Sequence, residues 1–173
     1  MIRKISIIIC LLGTIILSLY IYHTYFATKI VYLDIPKVFK SFEMQKELKD
    51  KYSLVEASRK RILDSLAFNL QLLSRKLMDN KNDKELNKEF DIRREDYFKT
   101  KNQLEQDNAA LSSQYDKQIL EQMTQYILDY GKKNRYDFIM GADGNGVLMY
   151  SKKEYDRSEE IITFINNKYK GIE

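Results

Sequence analysis

The sequence predicts an α+β protein in which one long antiparallel helical hairpin, a coiled-coil tentacle, projects from a small β-body. Three observations carry that prediction. From Pro36 to about Lys133 the chain holds one proline and, before Gly131, no glycine, and its apolar residues recur every three or four positions. They are Val38, Phe42, Leu48, Tyr52, Val55, Ile62, Leu66, Leu73 and Leu77, then Leu86, Phe90, Tyr97, Leu104, Leu111, Tyr115, Ile119 and Tyr126. That is the spacing of helices with a single apolar stripe. Between the two series, Asp79-Asn80-Lys81-Asn82-Asp83-Lys84 is wholly polar and rich in turn-forming residues, which places the tip at 79–84. Short β-branched and aromatic runs on either side of the helical stretch have the character of strands.

The register of the hairpin supports it independently. With the turn centred near residues 81–82, antiparallel partners carry numbers summing to about 163. Leu77 then faces Leu86, Leu73 faces Phe90, Leu66 faces Tyr97, Tyr52 faces Leu111 and Leu48 faces Tyr115. Apolar meets apolar each time, so the two stripes fit one seam, interrupted at Arg59 and Asn108. At 1.5 Å per residue each arm is roughly 60–70 Å long, too long to fold back, so it must project.

The chain begins with the basic Met1-Ile2-Arg3-Lys4, followed by Ile5–Tyr22 without a charge. Eighteen apolar or small residues suffice to span a bilayer. A cleaved secretory signal and a retained anchor compete here. The best cleavage position, after Ala27, has the bulky Tyr25 where a small residue is needed, and Tyr20, Tyr22, Tyr25 and Phe26 resemble an interfacial aromatic belt. Residues 1–27 are therefore read as a signal anchor, the alternative being a soluble form released by cleavage. Ile9 stands where a lipoprotein signal at Cys10 has a small residue. No other cysteine follows, so no disulfide framework exists.

Residues 28–35 supply one β-strand of the body, Lys29-Ile-Val-Tyr-Leu-Asp-Ile35, with Asp34 placed to cap the following helix and Pro36 in its first turn. The hairpin occupies 36–133, and Gly131 is placed to end its second helix. Residues 134–173 read as a β-hairpin and a last helix. Tyr136–Met140 and Val147–Tyr150 flank Asp143-Gly144-Asn145-Gly146, a strong hairpin signal. Asp156-Arg-Ser-Glu159 resembles a capping box opening a helix with Ile161, Ile162 and Ile165 on its apolar side. Three strands and one helix offer too little surface for a core, and both strand faces are apolar: Tyr136, Phe138 and Met140 on one, Ile139 with Val31 and Leu33 on the other. Self-association is the economical cover.

Enzyme chemistry finds no footing. The one histidine, His23, lies at the edge of the apolar segment, so no His-based acid–base pair or metal cluster forms, and no catalytic or metal residues are assigned. Gly144-Asn145-Gly146 is a turn and not a phosphate cradle, and no cofactor is implied. A net charge of +4, with 31% charged residues of both signs, is not a nucleic-acid-binding composition.

The order of elements, with Lys-Ile-Val-Tyr-Leu-Asp at the start and Tyr-Asp-Phe-Ile-Met, Val-Leu-Met-Tyr and an Asp-led helix at the end, resembles the Skp/OmpH family of periplasmic chaperones over roughly Lys29–Tyr169. The resemblance implies a homotrimer whose strands build a shared β-body and whose hairpins surround a cavity. In that cavity unfolded outer-membrane β-barrel proteins are held without ATP. Val31, Leu33, Tyr136, Phe138, Met140, Val147 and Met149 would line the trimer body. Relatives commonly carry Asp-Ile-Thr before the last helix, where this chain has Asp156-Arg157-Ser158, and are usually cleaved and soluble. The competing class is a membrane-anchored coiled-coil spacer or adaptor for a folded envelope partner.

Client contacts can be placed by helical geometry. At 100° per residue from Leu66, the residues Arg61, Phe68, Leu72 and Arg75 lie opposite the seam of the first arm. Measured from Tyr97, the residues Lys88, Ile92 and Lys99 do so on the second. Sparse apolar residues among cations suit weak multivalent capture of unfolded chains; the alternative is packing against a neighbouring arm.

Overall fold

A computed structural model describes residues 12–20, 22 and 28–172. Its elements are β1 (Ile30–Asp34), α1 (Ile35–Ser41), α2 (Glu43–Asp79), α3 (Lys84–Asn134), β2 (Phe138–Ala142), a 3-10 turn (Lys153–Tyr155) and α4 (Ser158–Tyr169). The architecture is α+β: α2 and α3 pack along their length as the hairpin, and a two-stranded sheet sits at its base. Among the described residues no helix is long and apolar enough to cross a membrane. Most of the segment proposed as an anchor, including His23, lies outside the described residues; 12–20 and 22 are helical and exposed.

The tip forms where the polar run placed it. α2 closes with the Asn80 N–H on the Lys76 carbonyl (3.0 Å), and the Asp83 carboxylate caps α3 by accepting from the Leu86 N–H (3.0 Å). Along α2 the half-buried stripe is Tyr52, Val55, Arg59, Leu63, Leu66, Leu70, Leu73 and Leu77. Ile62, expected in this stripe, is exposed, and Leu63 takes its place. The steps 55–59–63 are four and four, a stutter that shifts the phase of a three–four repeat. Arg59 stays in the seam because its Nη1 donates to Asn108 Oδ1 at 2.5 Å, so the two polar interruptions satisfy each other. Asn108 lies one turn nearer the base than the residue strictly opposite Arg59, which the length of the arginine spans.

α3 has 51 residues against 37 in α2, and its last turns enter the body. There Ile119, Met123 and Tyr130 join Leu33, Val38, Phe42, Leu48, Ile161 and Ile165 in one core. The helical stretch breaks at Phe42, whose extended backbone (ψ 125°) separates α1 from α2. Neither proline nor glycine marks this break. Asn166 of α4 closes it, its Oδ1 accepting from the Glu43 N–H (2.8 Å) and its Nδ2 donating to the Ser41 carbonyl (3.0 Å). Phe42 is thereby held fully buried, edge-on to Tyr126 and Tyr169, a burial that contributes about 2–3 kcal/mol.

β1 and β2 are parallel, with Ile30 opposite Phe138 and Asp34 opposite Ala142, and the whole hairpin is their crossover. On its other edge β1 bridges to Asp156, and Tyr32 O accepts from the Arg157 N–H (2.9 Å). Among the described residues nothing pairs with the outer edge of β2. Asp34 caps α1 as expected, its carboxylate accepting from the Lys37 N–H (2.9 Å), with Pro36 in the first turn.

Three local readings are corrected. Gly131 does not end α3. The helix runs on to Asn134 and closes with Arg135 in the left-handed region (φ 57°), the Tyr136 N–H reaching Gly131 O (3.0 Å) and the Arg135 N–H reaching Lys132 O (3.3 Å). Gly131 is instead a packing glycine, because a Cβ there would stand 3.2 Å from the Ile139 side chain. The expected β-hairpin does not close. Asp143 Oδ1 accepts from the Asn145 N–H (2.8 Å) and Gly144 and Gly146 adopt positive φ as the turn requires, but residues 147–150 form no strand. Val147, Met149 and Tyr150 are exposed and cover nothing within one chain, with only Leu148 half-buried, and a strand is stabilised chiefly by what its face covers. The capping box is also absent. Asp156 accepts from the Ser158 N–H (2.8 Å), while Glu159 pairs with Lys37 (2.7 Å) rather than reaching back.

Candidate functional surfaces

The alternation of the strands divides the sheet into two unlike faces. Val31 and Leu33 point inward and are buried against α1 and α4, so these two residues belong to the core of a single protomer. Ile30, Phe138 and Met140 point outward from adjacent positions, because Ile30 lies opposite Phe138 and Tyr32 opposite Met140. Phe138 is 59% exposed, and the irregular segment beyond the turn adds Val147 and Met149, 71% and 86% exposed, with Tyr150. An apolar face of this size beside an open strand edge is a surface that natural sheets cover. Only one of the two faces thus needs a partner.

Tyr136 sits at the border, half-buried beside Tyr130 with ring centroids 5.9 Å apart. Its hydroxyl accepts from Arg157 Nε at 3.2 Å. Burial, reinforced by Tyr136 and Glu160, pushes the Tyr130 phenol up to about 12. This cluster is structural: it fixes the turn after α3 against the start of α4.

At that start Ser158 is almost wholly buried. Its hydroxyl donates to Asp156 Oδ1 (2.5 Å) and accepts from the Asp34 N–H (2.9 Å), tying α4 to the end of β1. The Asp156 carboxyl lies below its usual range: burial pushes it up, but the side-chain and backbone hydrogen bonds from Ser158 outweigh that, with Lys37 and Lys153 assisting. At its other end α4 is clamped by Lys168–Asp129 (2.5 Å) and Lys170–Glu43 (2.6 Å). Tyr169 donates to Glu47 Oε2 (2.5 Å); that hydrogen bond, with burial, pushes the Tyr169 phenol up to about 12. These half-exposed ion pairs are screened by solvent and individually weak, and they act together as a clasp.

On the arms, Phe68 (59% exposed), Leu72 and Ile92 are exposed, as are Arg61, Arg75, Lys88 and Lys99. Phe68 and Leu72 form one ridge with Arg61 and Arg75 on the outer side of α2, with Leu72 at its border, where it also lines the groove between the arms beside Leu73 and Arg93. Ile92, Lys88 and Lys99 form a second on the corresponding edge of α3. Each ridge lies across its own helix from the seam, so the two occupy opposite edges of the hairpin and make no single patch. The α2 ridge is longer than the sequence series suggests. Leu54, also exposed, falls within about 40° of Phe68 at 100° per residue and extends the ridge by about two turns beyond Arg61. The same helical count would have found it. Among the described residues no group of three or more His, Cys, Asp or Glu side chains could hold a metal ion.

Residues 29–165 match the family described as outer membrane protein (OmpH-like). In the solved structure of a candidate outer membrane chaperone (OmpH-like) from Caulobacter crescentus CB15, the fold superposes with a TM-score of 0.72. That match covers 82% of this chain and 85% of the other at 7% identity, which makes it a likeness of fold. No curated protein matches the sequence. The family match takes in both strands, the whole hairpin and the buried part of the last helix, and the chain belongs to the OmpH-like outer membrane protein family.

Proposed function

We propose that the chain is a periplasmic chaperone of the holdase type, in which three copies enclose unfolded outer-membrane β-barrel proteins between their arms without ATP. The observation that carries this reading is the uncovered outer face of the sheet at the base of a projecting hairpin. A second and third copy would cover Ile30, Phe138, Met140, Val147 and Met149 and give residues 147–150 a surface on which to become a strand. The number three follows the likeness to Skp and OmpH, and the candidate chaperone of the same fold from Caulobacter crescentus supports the chaperone role. Joining the bodies sets the arms side by side, so their edges bound a shared space. The ridges of Phe68 and Leu72 and of Ile92, each flanked by cations, would line it. Weak apolar contacts repeated on several arms retain an unfolded chain by multivalency, while the cations speed encounter. Residues 1–27 would hold the assembly at the inner membrane.

The test uses the full chain in nanodiscs, added to a urea-denatured outer-membrane β-barrel as the urea is diluted. Suppressed light scattering for several unrelated β-barrels, with empty nanodiscs inactive, supports the holdase. Retention of one folded envelope partner without such suppression would favour the spacer or adaptor.

A further inference from the structure

Four cations gather where the body meets the amino-terminal apolar segment. Lys29 is the residue before β1. Its backbone N–H donates to the Asp137 carboxylate (2.6 Å), and its carbonyl accepts from the N–H groups of Asp137 (3.0 Å) and Phe138 (3.3 Å). Those bonds set it against the end of α3 and the turn that follows, which together carry Lys132, Lys133 and Arg135. All four side chains are exposed, and among the described residues none of them makes an ion pair. Of the adjoining carboxylates, Asp129 is taken by Lys168, and Asp137 offsets one cation, which leaves this end strongly positive.

Lys132 and Lys133 suit the negative end of α3. Arg135, the residue that caps α3, suits it too, and its backbone sets it apart. At φ 57° it holds a left-handed position that Gly or Asn occupies at least cost, so a long cation is kept there against backbone preference. A cleft at this end is lined by Asp129, Lys132, Lys133, Phe164, Asn167 and Lys168, with Lys133 Nζ 5.4 Å from the centre of the Phe164 ring and the exposed Ile172 at its rim. Cations bordered by apolar side chains are the composition of a surface that meets lipid headgroups.

We propose that this end of the body is a dock for anionic phospholipid headgroups, seating the base on the bilayer. The inference rests on the tethered reading above, which brings Lys29 next to the membrane. The length of α3, about 75 Å, would then separate the tip of the arms from the base, so that the client space opens away from the lipid.

The test uses the full chain carrying Cys10→Ser and a fluorophore on Asn167→Cys, reconstituted in phosphatidylcholine vesicles with or without about one-third phosphatidylglycerol. A nitroxide on the lipid headgroup should quench the label more in the anionic vesicles, and about 0.5 M salt should remove the difference. The combination Lys132→Gln, Lys133→Gln, Arg135→Asn should abolish the excess while leaving helicity and co-flotation unchanged. At about fivefold per cation, the docking equilibrium falls on the order of a hundredfold. Lys29→Gln, which lies outside α3 itself, should lower it about fivefold and guards against a folding defect in the triple variant. Quenching that is equal in neutral and anionic vesicles, or indifferent to these substitutions, overturns the dock and leaves the tether standing. Flotation with phosphatidylglycerol vesicles alone overturns only the tether, and flotation with neither overturns both.

Discussion

Replacing Ser158 by Ala should detach the last helix from the sheet. The side chain is 1% exposed, and its hydroxyl joins two elements: it donates to Asp156 Oδ1 at 2.5 Å and accepts from the Asp34 N–H at 2.9 Å. The substitution removes a hydrogen bond to a carboxylate and leaves a part-buried backbone donor without its partner. The first costs about 1.5–3 kcal/mol and the second about 1–3 kcal/mol. They share one atom and do not add in full, so a total of about 2–4 kcal/mol is expected, a fall in Tm of roughly 5–15 °C for a chain of this size. Circular-dichroism melting at fixed protein concentration measures it. The difference has a pH dependence of known sign. The folded Asp156 pKa is depressed, so its contribution is complete above the unfolded carboxylate value of about 3.9 and is lost as the pH falls through the folded value. Without the Ser158 hydroxyl that depression shrinks, and the parent and Ser158→Ala curves should draw together below about pH 4. A variant melting within about 2 °C of the parent at neutral pH would refute the tie between α4 and β1.

Phe138→Asp, which places a charge on the uncovered sheet face, should dissociate the assembly while leaving the helix signal intact; sedimentation reads both species, and an undissociated oligomer would locate the interface elsewhere. Leu73→Ser with Phe90→Ser should cost about 2 kcal/mol each and loosen the outer arm, seen as faster amide exchange near the tip with the base still protected. Phe68→Ser with Leu72→Ser, and separately Ile92→Ser, should weaken client holding by at most about 1–2 kcal/mol per side chain without altering mass or melting. Because these residues lie on opposite edges of the hairpin, the two variants report on different surfaces, and unchanged holding in both would mean that enclosure alone retains the client.

The hairpin was legible because its information is local. A polar tip and two apolar stripes counted outward from it fix an antiparallel register, and Leu48 and Tyr115 meet in the body cluster as that count requires. The exchange of Ile62 for Leu63 was hidden by Arg59, a polar residue inside the stripe that is satisfied only by Asn108 from the other arm. Tertiary causes account for the other differences. The break at Phe42 depends on Asn166, more than a hundred residues away, and carries no proline or glycine to announce it. Gly131 reads locally as a stop, whereas its function is to admit Ile139. Residues 147–150 have the composition of a strand and the turn chemistry to make one, yet a strand needs a surface to cover, and one chain does not supply it. On the arms, periodicity sets which face carries Phe68 and Ile92, while the identity of whatever that face meets is not a local property of the helix.

The decisive quantity is the mass of the complex formed with a single unfolded outer-membrane β-barrel, measured by native mass spectrometry after release from nanodiscs. Three chains of 20.6 kDa should accompany each client, and Phe138→Asp should abolish the complex along with the trimer. One chain per client, or a client bound equally well by the dissociated variant, would contradict enclosure by a trimer.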